Sequence, residues 1–420
     1  MGADGDGVGF LHGERVFIPF ALPGEVVRAS VAGQRGTLEA IVKPSAARAN
    51  PPCPDFGACG GCALQHWREA DYFGWKSAEI DRALRRAGFA DVPPPTVART
   101  PQQVRRRIDW ALRRTNGRVR VGLHRLRSAE VVESHACVVL HPALLSLLAP
   151  LRNRLQDLDL LRFEGSAIVN LFDTGPDLLL RTDAEPSASD RAGLAAWARA
   201  HRVPRIHWAK GNGQPEPVCL LSEARATFAG VSVKPPPGAF MQASAEGERA
   251  IVDAVRAGLP PGRGKRLRIV ELFAGCGTIT FALAADARVI AYEGEPAAFA
   301  AVREAVNRAG LAGQIETAQR DLARQPLTAA DLARADAVVL DPPHGGAAAQ
   351  MTAIAMARPE RVIYVSCNPA TLARDTAVLR QAEYRVQAVT SVDQFLWSAR
   401  IESVSVFALN TPKRKAAHQY

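Results

Sequence analysis

From Gly238 onward, apolar runs at 268–273, 288–293, 337–340, 361–366 and 384–392 alternate with stretches of helical periodicity. That alternation predicts a parallel-type sheet covered by helices on both faces, an α/β domain over 236–420. A last run, Ser403 to Leu409, adds an antiparallel edge strand. Residues 1–47 read differently: Gly7-Val-Gly-Phe10, Arg15-Val-Phe-Ile-Pro19, Pro23-Gly-Glu-Val-Val27 and Gly36-Thr-Leu-Glu-Ala-Ile-Val42 are short β-rich segments cut by glycine and proline, which predicts a small β-barrel. Between them, 48–235 forms a central α+β domain. Its helical pattern runs from Leu64 to a terminating Gly88, and the proline runs 93–95 and 235–237 act as a stiff connector and a closing boundary.

The chain has 420 residues, 47% of them hydrophobic and 22% charged, which describes a soluble globular protein of two or three domains. No apolar run is long and clean enough to cross a bilayer, and the first residues lack the basic start and apolar core of a secretory leader. A cytoplasmic monomer without membrane contact is the expectation. The net charge of +10 favours a polyanionic partner such as RNA. Arg105-Arg106-Arg107, Arg113-Arg114, Arg118 and Arg120 concentrate charge at the start of the mixed section, and Arg105, Arg106 and Arg107 are candidate phosphate contacts, against the common reading of a solvated face. Seven cysteines, few for this length, point to metal or catalysis rather than disulfides.

Cys367 lies in Val365-Ser-Cys-Asn-Pro369, directly after a strand-like run, so a thiol is delivered to the carboxyl edge of the sheet, where ligands bind in open α/β folds. Asp341-Pro342-Pro343 ends another run at the same edge. The glycine-rich turn Glu271-Leu-Phe-Ala-Gly-Cys-Gly-Thr278 lets backbone approach a ligand closely, and Glu293 follows at the end of the next strand, placed for ribose hydroxyls. The full dinucleotide glycine spacing is missing, which favours a single nucleoside such as S-adenosylmethionine in a Rossmann-like domain. Asp321 is a candidate for an adenine amino group or, equally, a plain helix cap. Cys53-x5-Cys59-Gly-Gly-Cys62 supplies three thiols, and a fourth ligand must come from afar; four thiolates suit zinc or an iron–sulfur cluster. Cys219 and Cys276 read as buried small residues, and His66 and His135 as structural or RNA-facing.

Phe240-Met-Gln242, the glycine turn, Tyr292-Glu293-Gly294, Asp341-Pro-Pro, Ser366-Cys-Asn-Pro369 and Ile401-Glu402-Ser-Val404 stand in the order and spacing of the RNA uracil-5-methyltransferase family. With Cys53-x5-Cys-Gly-Gly-Cys-x-x-Gln65-His66, the chain resembles the cluster-bearing branch that acts on 23S ribosomal RNA, and its N-terminal segment resembles that family's small RNA-binding TRAM barrel. The resemblance implies S-adenosylmethionine contacts at Gln242, Phe273, Glu293, Asp321 and Asp341. Thr278 stands where asparagine is usual. It further implies Cys367 as nucleophile, Glu402 as base, and Cys137 as the fourth ligand of a [4Fe-4S] cluster, with zinc as the alternative, and a ribosomal rather than transfer RNA substrate. His344 replaces a frequent arginine, and Arg400-Ile401 precedes Glu402 where the family has His-Val. Two other readings remain: an amino-methyltransferase using Asp341-Pro-Pro without a covalent step, and a non-catalytic RNA-binding module stapled by a metal.

Overall fold

In the structure, a computed structural model, the C-terminal runs join one eight-stranded sheet. Residues 1–262 and 264–410 are described, so the basic tail Pro412–Lys415, expected from sequence to be solvated, lies outside the described residues. Along the sheet the strands run Ile315–Gln319, Ala287–Glu293, Leu267–Leu272, Ala337–Leu340, Arg361–Ser366, Glu402–Leu409, Tyr384–Asp393 and Thr96–Arg99. The first five are parallel to one another. Ala337–Leu340 is buried at every position, as a strand covered on both faces must be.

Glu402–Leu409 is antiparallel, as expected, but it is not an edge: it lies between Arg361–Ser366 and Tyr384–Asp393. Its own composition explains this, since Glu402 to Ala408 are all buried and an edge strand would expose one side. The edge place goes to Thr96–Arg99, just beyond the proline run, and the other edge to Ile315–Gln319. Neither short strand was read from the sequence. The chain order reverses between Leu267–Leu272 and Ala337–Leu340, which makes their carboxyl ends the switch point of the sheet.

The first long helix spans Glu69–Arg86 rather than starting at Leu64. The Ala63 and Leu64 amides donate to the Trp397 carbonyl, so that backbone is already committed outside a helix. A seven-stranded, mainly antiparallel sheet carries the middle of the chain; Arg107–Thr115 and Glu164–Phe172 lie at its centre. Leu148, Leu151 and Leu155 from one helix and Leu194 and Trp197 from another cover it. The N-terminal segment forms a four-stranded sheet with Gly7–Leu11 and Val26–Ala32 at its ends.

The chain folds as two compact units that interleave along the sequence. Among the described residues, one holds Met1–Lys76, Arg99–Glu248 and Asp393–Ile401; the other holds Ser77–Ala98, Arg249–Val392 and the strand Glu402–Leu409. Inside the first unit, Lys76 donates to Asp393 at 2.6 Å with both side chains fully buried, and Tyr72 donates to the same carboxylate at 3.0 Å. Long-range pairs of this kind define the unit where sequence proximity does not.

Candidate active site and cysteine cavity

Four loops of the second unit leave the carboxyl ends of neighbouring strands around the switch point. After Leu272, Phe273 takes a left-handed φ of 63°, costly for a residue with a Cβ and found where a loop is held for a purpose. Gly277, at φ 89°, opens the helix Thr278–Leu283, and a Cβ there would lie 2.5 Å from the Phe281 ring. Glycine is therefore required on two counts. Thr278 is half-buried at the first helical position. Glu293 ends the next strand and accepts the Gly275 and Glu295 amides at 2.7 Å each, tying the strand end to the glycine turn.

Beneath that turn lies Glu271, which the sequence reading passed over. It is 2% exposed, and burial, helped by the Asp341 and Glu293 carboxylates and partly offset by Thr280, pushes its carboxyl up to about 8. The signal was available: a charged residue in the interior of a central strand is out of place unless the site uses it.

Asp341 is half-buried and follows Leu340, its amide reaching back towards the Leu272 carbonyl. Asp321 is exposed and accepts the Ala323 and Arg324 amides at 3.0 and 3.2 Å. It caps a turn rather than a helix, since the next helix starts only at Ala329. Gln242 belongs to the first unit; it is buried and accepts from Gln394 at 2.8 Å, while Gln394 in turn accepts the Ala243 amide.

Cys367 and Glu402 come together by strand register. Ser366 pairs with Ser403 in the antiparallel ladder, so the residue after the one and the residue before the other leave the same end of the sheet. Cys367 is half-buried, and Glu402 is 4% exposed. Cys367 also directly precedes the helix Pro369–Gln381, whose start is set by Asn368 as cap and proline at the first position. The Cys367 sulfur lies 3.8 Å from Nδ1 of His344. A larger cavity of the second unit, about 480 Å³, lies away from these loops against Arg268, Arg288 and Gln314, near the amino ends of the strands.

In the first unit, Cys53, Cys59, Cys62 and Cys137 line one cavity of about 260 Å³ together with Arg105 and Arg107. Gly60 makes the wrap possible, because a Cβ there would meet the His124 carbonyl at 2.7 Å. Burial pushes the thiols of Cys53, Cys59 and Cys62 up, Cys62 to about 12, and the neighbouring cysteines add to the rise. No three His, Cys, Asp or Glu side chains among the described residues draw together around one ion position. Thiolates at these positions would be stabilised by positive charge, which Arg105 and Arg107 bring to the same lining. His66 packs against both Phe20 and Phe56, which also touch each other, and burial lowers it to about 4, so it is a neutral structural ring. His135 is exposed; Cys219 and Cys276 are buried, as expected.

The arginine run behaves unlike its sequence reading. Arg105 and Arg107 turn into the cysteine cavity, and Arg106 pairs with Glu248. Arg114 donates to the Leu155, Leu158 and Leu161 carbonyls, serving the end of the Leu148–Gln156 helix. Arg113 pairs with the Glu164 side chain. Arg105, Arg106, Arg107 and Arg114 thus have surroundings within the fold that the sequence does not show, whereas the Arg113–Glu164 pair is exposed.

The tRNA (uracil-5-)-methyltransferase family model matches residues 238–409. An uncharacterized RNA methyltransferase of Brucella suis is 37% identical over 97% of this chain and 95% of its own length. A 23S rRNA (uracil(1939)-C(5))-methyltransferase of Aeromonas salmonicida is 33% identical over 96% of this chain and 93% of its own. Among solved structures, the tRNA (uracil-54, C5)-methyltransferase of Pyrococcus abyssi in complex with S-adenosyl-L-homocysteine shares the fold at a TM-score of 0.71 and 19% identity, over 96% of this chain and 98% of that one. Among the described residues, no helix is long and apolar enough to cross a membrane.

Proposed function

Because the chain belongs to the RNA uracil-5-methyltransferase family, we propose that it transfers a methyl group from S-adenosylmethionine to carbon 5 of a uridine in 23S ribosomal RNA, through a covalent bond between Cys367 and the base. The observation that carries this reading is the register that brings Cys367 and Glu402 to one end of the sheet beside its switch point. Ribosomal RNA is favoured over transfer RNA by the Aeromonas relative, which matches along nearly the whole chain.

Carbon 5 of uracil is a weak nucleophile. The Cys367 thiolate adds to carbon 6, the ring electrons shift to give an enolate, and carbon 5 becomes nucleophilic. The sulfonium donor supplies an electrophilic methyl group. Glu402 then takes the proton from carbon 5, the carbon 6–sulfur bond breaks, and the thiolate returns. Burial suits Glu402 to this task, since a desolvated carboxylate is a stronger base than one in water. Phe273, Thr278, Glu293, Asp321 and Asp341 are the proposed contacts to the donor, and the family resemblance adds Gln242 to the proposal. The carboxylates around the glycine turn favour a cationic ligand. The target base must leave its stack to reach the thiol, as in a loop or by flipping.

Cys53, Cys59, Cys62 and Cys137 are the proposed ligands of a [4Fe-4S] cluster. The family resemblance favours a cluster over a single zinc ion; the four cysteines line one cavity, where Arg105 and Arg107 would offset the negative charge of four thiolates. Bound there, such a group would tie the loop 53–62 to Cys137 within the first unit.

The test is methylation of unmodified ribosomal and transfer RNA pools with labelled donor, followed by nucleoside analysis. Label in 5-methyluridine of large-subunit ribosomal RNA is the expected result; label in another nucleoside, or in transfer RNA alone, overturns the assignment.

A further inference from the structure

His344 stands in the loop that follows Asp341-Pro-Pro, and the helix Pro369–Gln381 with its cap holds that loop at three points. Arg374 donates to the Gly345 carbonyl at 2.8 Å, buried Asp375 accepts the Ala347 amide at 2.6 Å, and Asn368 donates through Nδ2 to the His344 carbonyl at 3.1 Å. Gly346 permits the fit with a φ of 81°; a Cβ there would lie 2.4 Å from the Asp375 carboxylate. The imidazole is therefore carried on a constrained loop.

Its tautomer follows from a chain of hydrogen bonds. The Ala370 amide donates to Asn368 Oδ1 at 3.0 Å, so the carboxamide can point only its NH2 group the other way. That group lies 3.4 Å from His344 Nε2. A carboxamide NH2 has only hydrogens to offer, so Nε2 accepts, and in a neutral imidazole the ring proton then sits on Nδ1. Nδ1 is the atom facing the Cys367 sulfur at 3.8 Å. A ring nitrogen that already carries its proton is not a base for the thiol; it is a donor to the thiolate.

We propose that His344, with its tautomer set by Asn368, donates Nδ1–H to the Cys367 sulfur and holds the nucleophile as thiolate before RNA binds. This rests on the reading of Cys367 as nucleophile. His344 touches the reacting atom, whereas Asn368 acts through it as a positioning residue. The thiol proton goes to solvent when the site opens to water, and no further reactant is needed. The other charged groups on the surrounding elements are Asp341 just after Ala337–Leu340, Glu402 at the start of Glu402–Leu409, Arg361 at the start of Arg361–Ser366, and Arg374, Asp375 and Arg380 on the helix. All six are unchanged in the variants below, so a difference reports the imidazole.

The experiment is the pH dependence of Cys367 alkylation by iodoacetamide in the whole protein, resolved from the other cysteines by peptide mass spectrometry. Wild type is compared with H344F, H344Q and N368S, none of which adds a charge beside the thiol. The expected result is a titration midpoint higher in H344F by about one unit, which slows alkylation near neutral pH roughly tenfold. H344Q, which keeps an N–H donor, recovers part of the rate. N368S keeps an acceptor for the Ala370 amide but loses the NH2 group that sets the tautomer, and it raises the midpoint part of the way. Equal midpoints in wild type and H344F overturn the proposal while leaving Cys367 as nucleophile intact. Methylation that survives C367A removes the parent reading instead. An H344F protein that fails to fold is recognised by its circular dichroism; an N368S midpoint equal to wild type then overturns the proposal.

Discussion

Replacing Glu271 with glutamine tests the electrostatics of the switch point without touching a proposed ligand contact. In the folded protein burial, with the carboxylates of Asp341 and Glu293, raises this carboxyl from the usual 4.5 to about 8. Between those values the unfolded chain has released the proton and the folded chain retains it. Folding is then linked to proton uptake, and stability falls as pH rises through that window. At 1.36 kcal/mol per unit, the penalty is about 1 kcal/mol near pH 5 and about 3 kcal/mol near pH 7. E271Q mimics the protonated acid and escapes the penalty. It should match wild type at about pH 4 and exceed it by about 3 kcal/mol at neutral pH. Because the chain has two units, urea unfolding is best followed by hydrogen exchange in peptides covering 267–283, which report the second unit alone. An offset between E271Q and wild type that stays constant from about pH 4 to about pH 8 would refute an elevated Glu271.

Glu402→Gln should leave thiol addition and methyl transfer intact but block release, so that methylated RNA stays bound to protein through a denaturing gel; free turnover at the wild-type rate would remove Glu402 as the base. Asp393→Ala strands the buried Lys76 ammonium and should cost about 3–5 kcal/mol in urea unfolding of the first unit, and the isosteric pair K76M/D393L should recover much of it. Cys137→Ser should abolish iron and sulfide content and the visible absorbance of anaerobically purified protein; stoichiometric zinc in the wild type would instead favour the single-ion alternative.

Much of the catalytic sheet was legible because its strands are continuous apolar runs, each ending in a residue that sequence marks as odd: Phe273 before glycines, Glu293, Asp341 before two prolines, Cys367 before Asn-Pro. The strand Ile315–Gln319 was missed because Glu316, Thr317 and Gln319 dilute its apolar signal. The place of Glu402–Leu409 inside the sheet was missed because pairing order is a tertiary choice, decided here by burial on both faces. The surroundings of the arginines were hidden for a related reason: charge is visible in sequence, whereas partners such as Glu248 for Arg106 lie 142 positions away. The Asn368–His344–Cys367 contacts needed two loops brought together, and a histidine in place of the family's arginine was the sole hint.

The most direct measurement is methyl transfer from labelled S-adenosylmethionine to unmodified large-subunit ribosomal RNA by wild type beside Cys367→Ala, with nucleoside analysis of the product. The covalent mechanism predicts 5-methyluridine from wild type and none from the variant, with RNA binding retained. Methylation persisting in Cys367→Ala would contradict it and return the chemistry to Asp341-Pro-Pro acting without a covalent step.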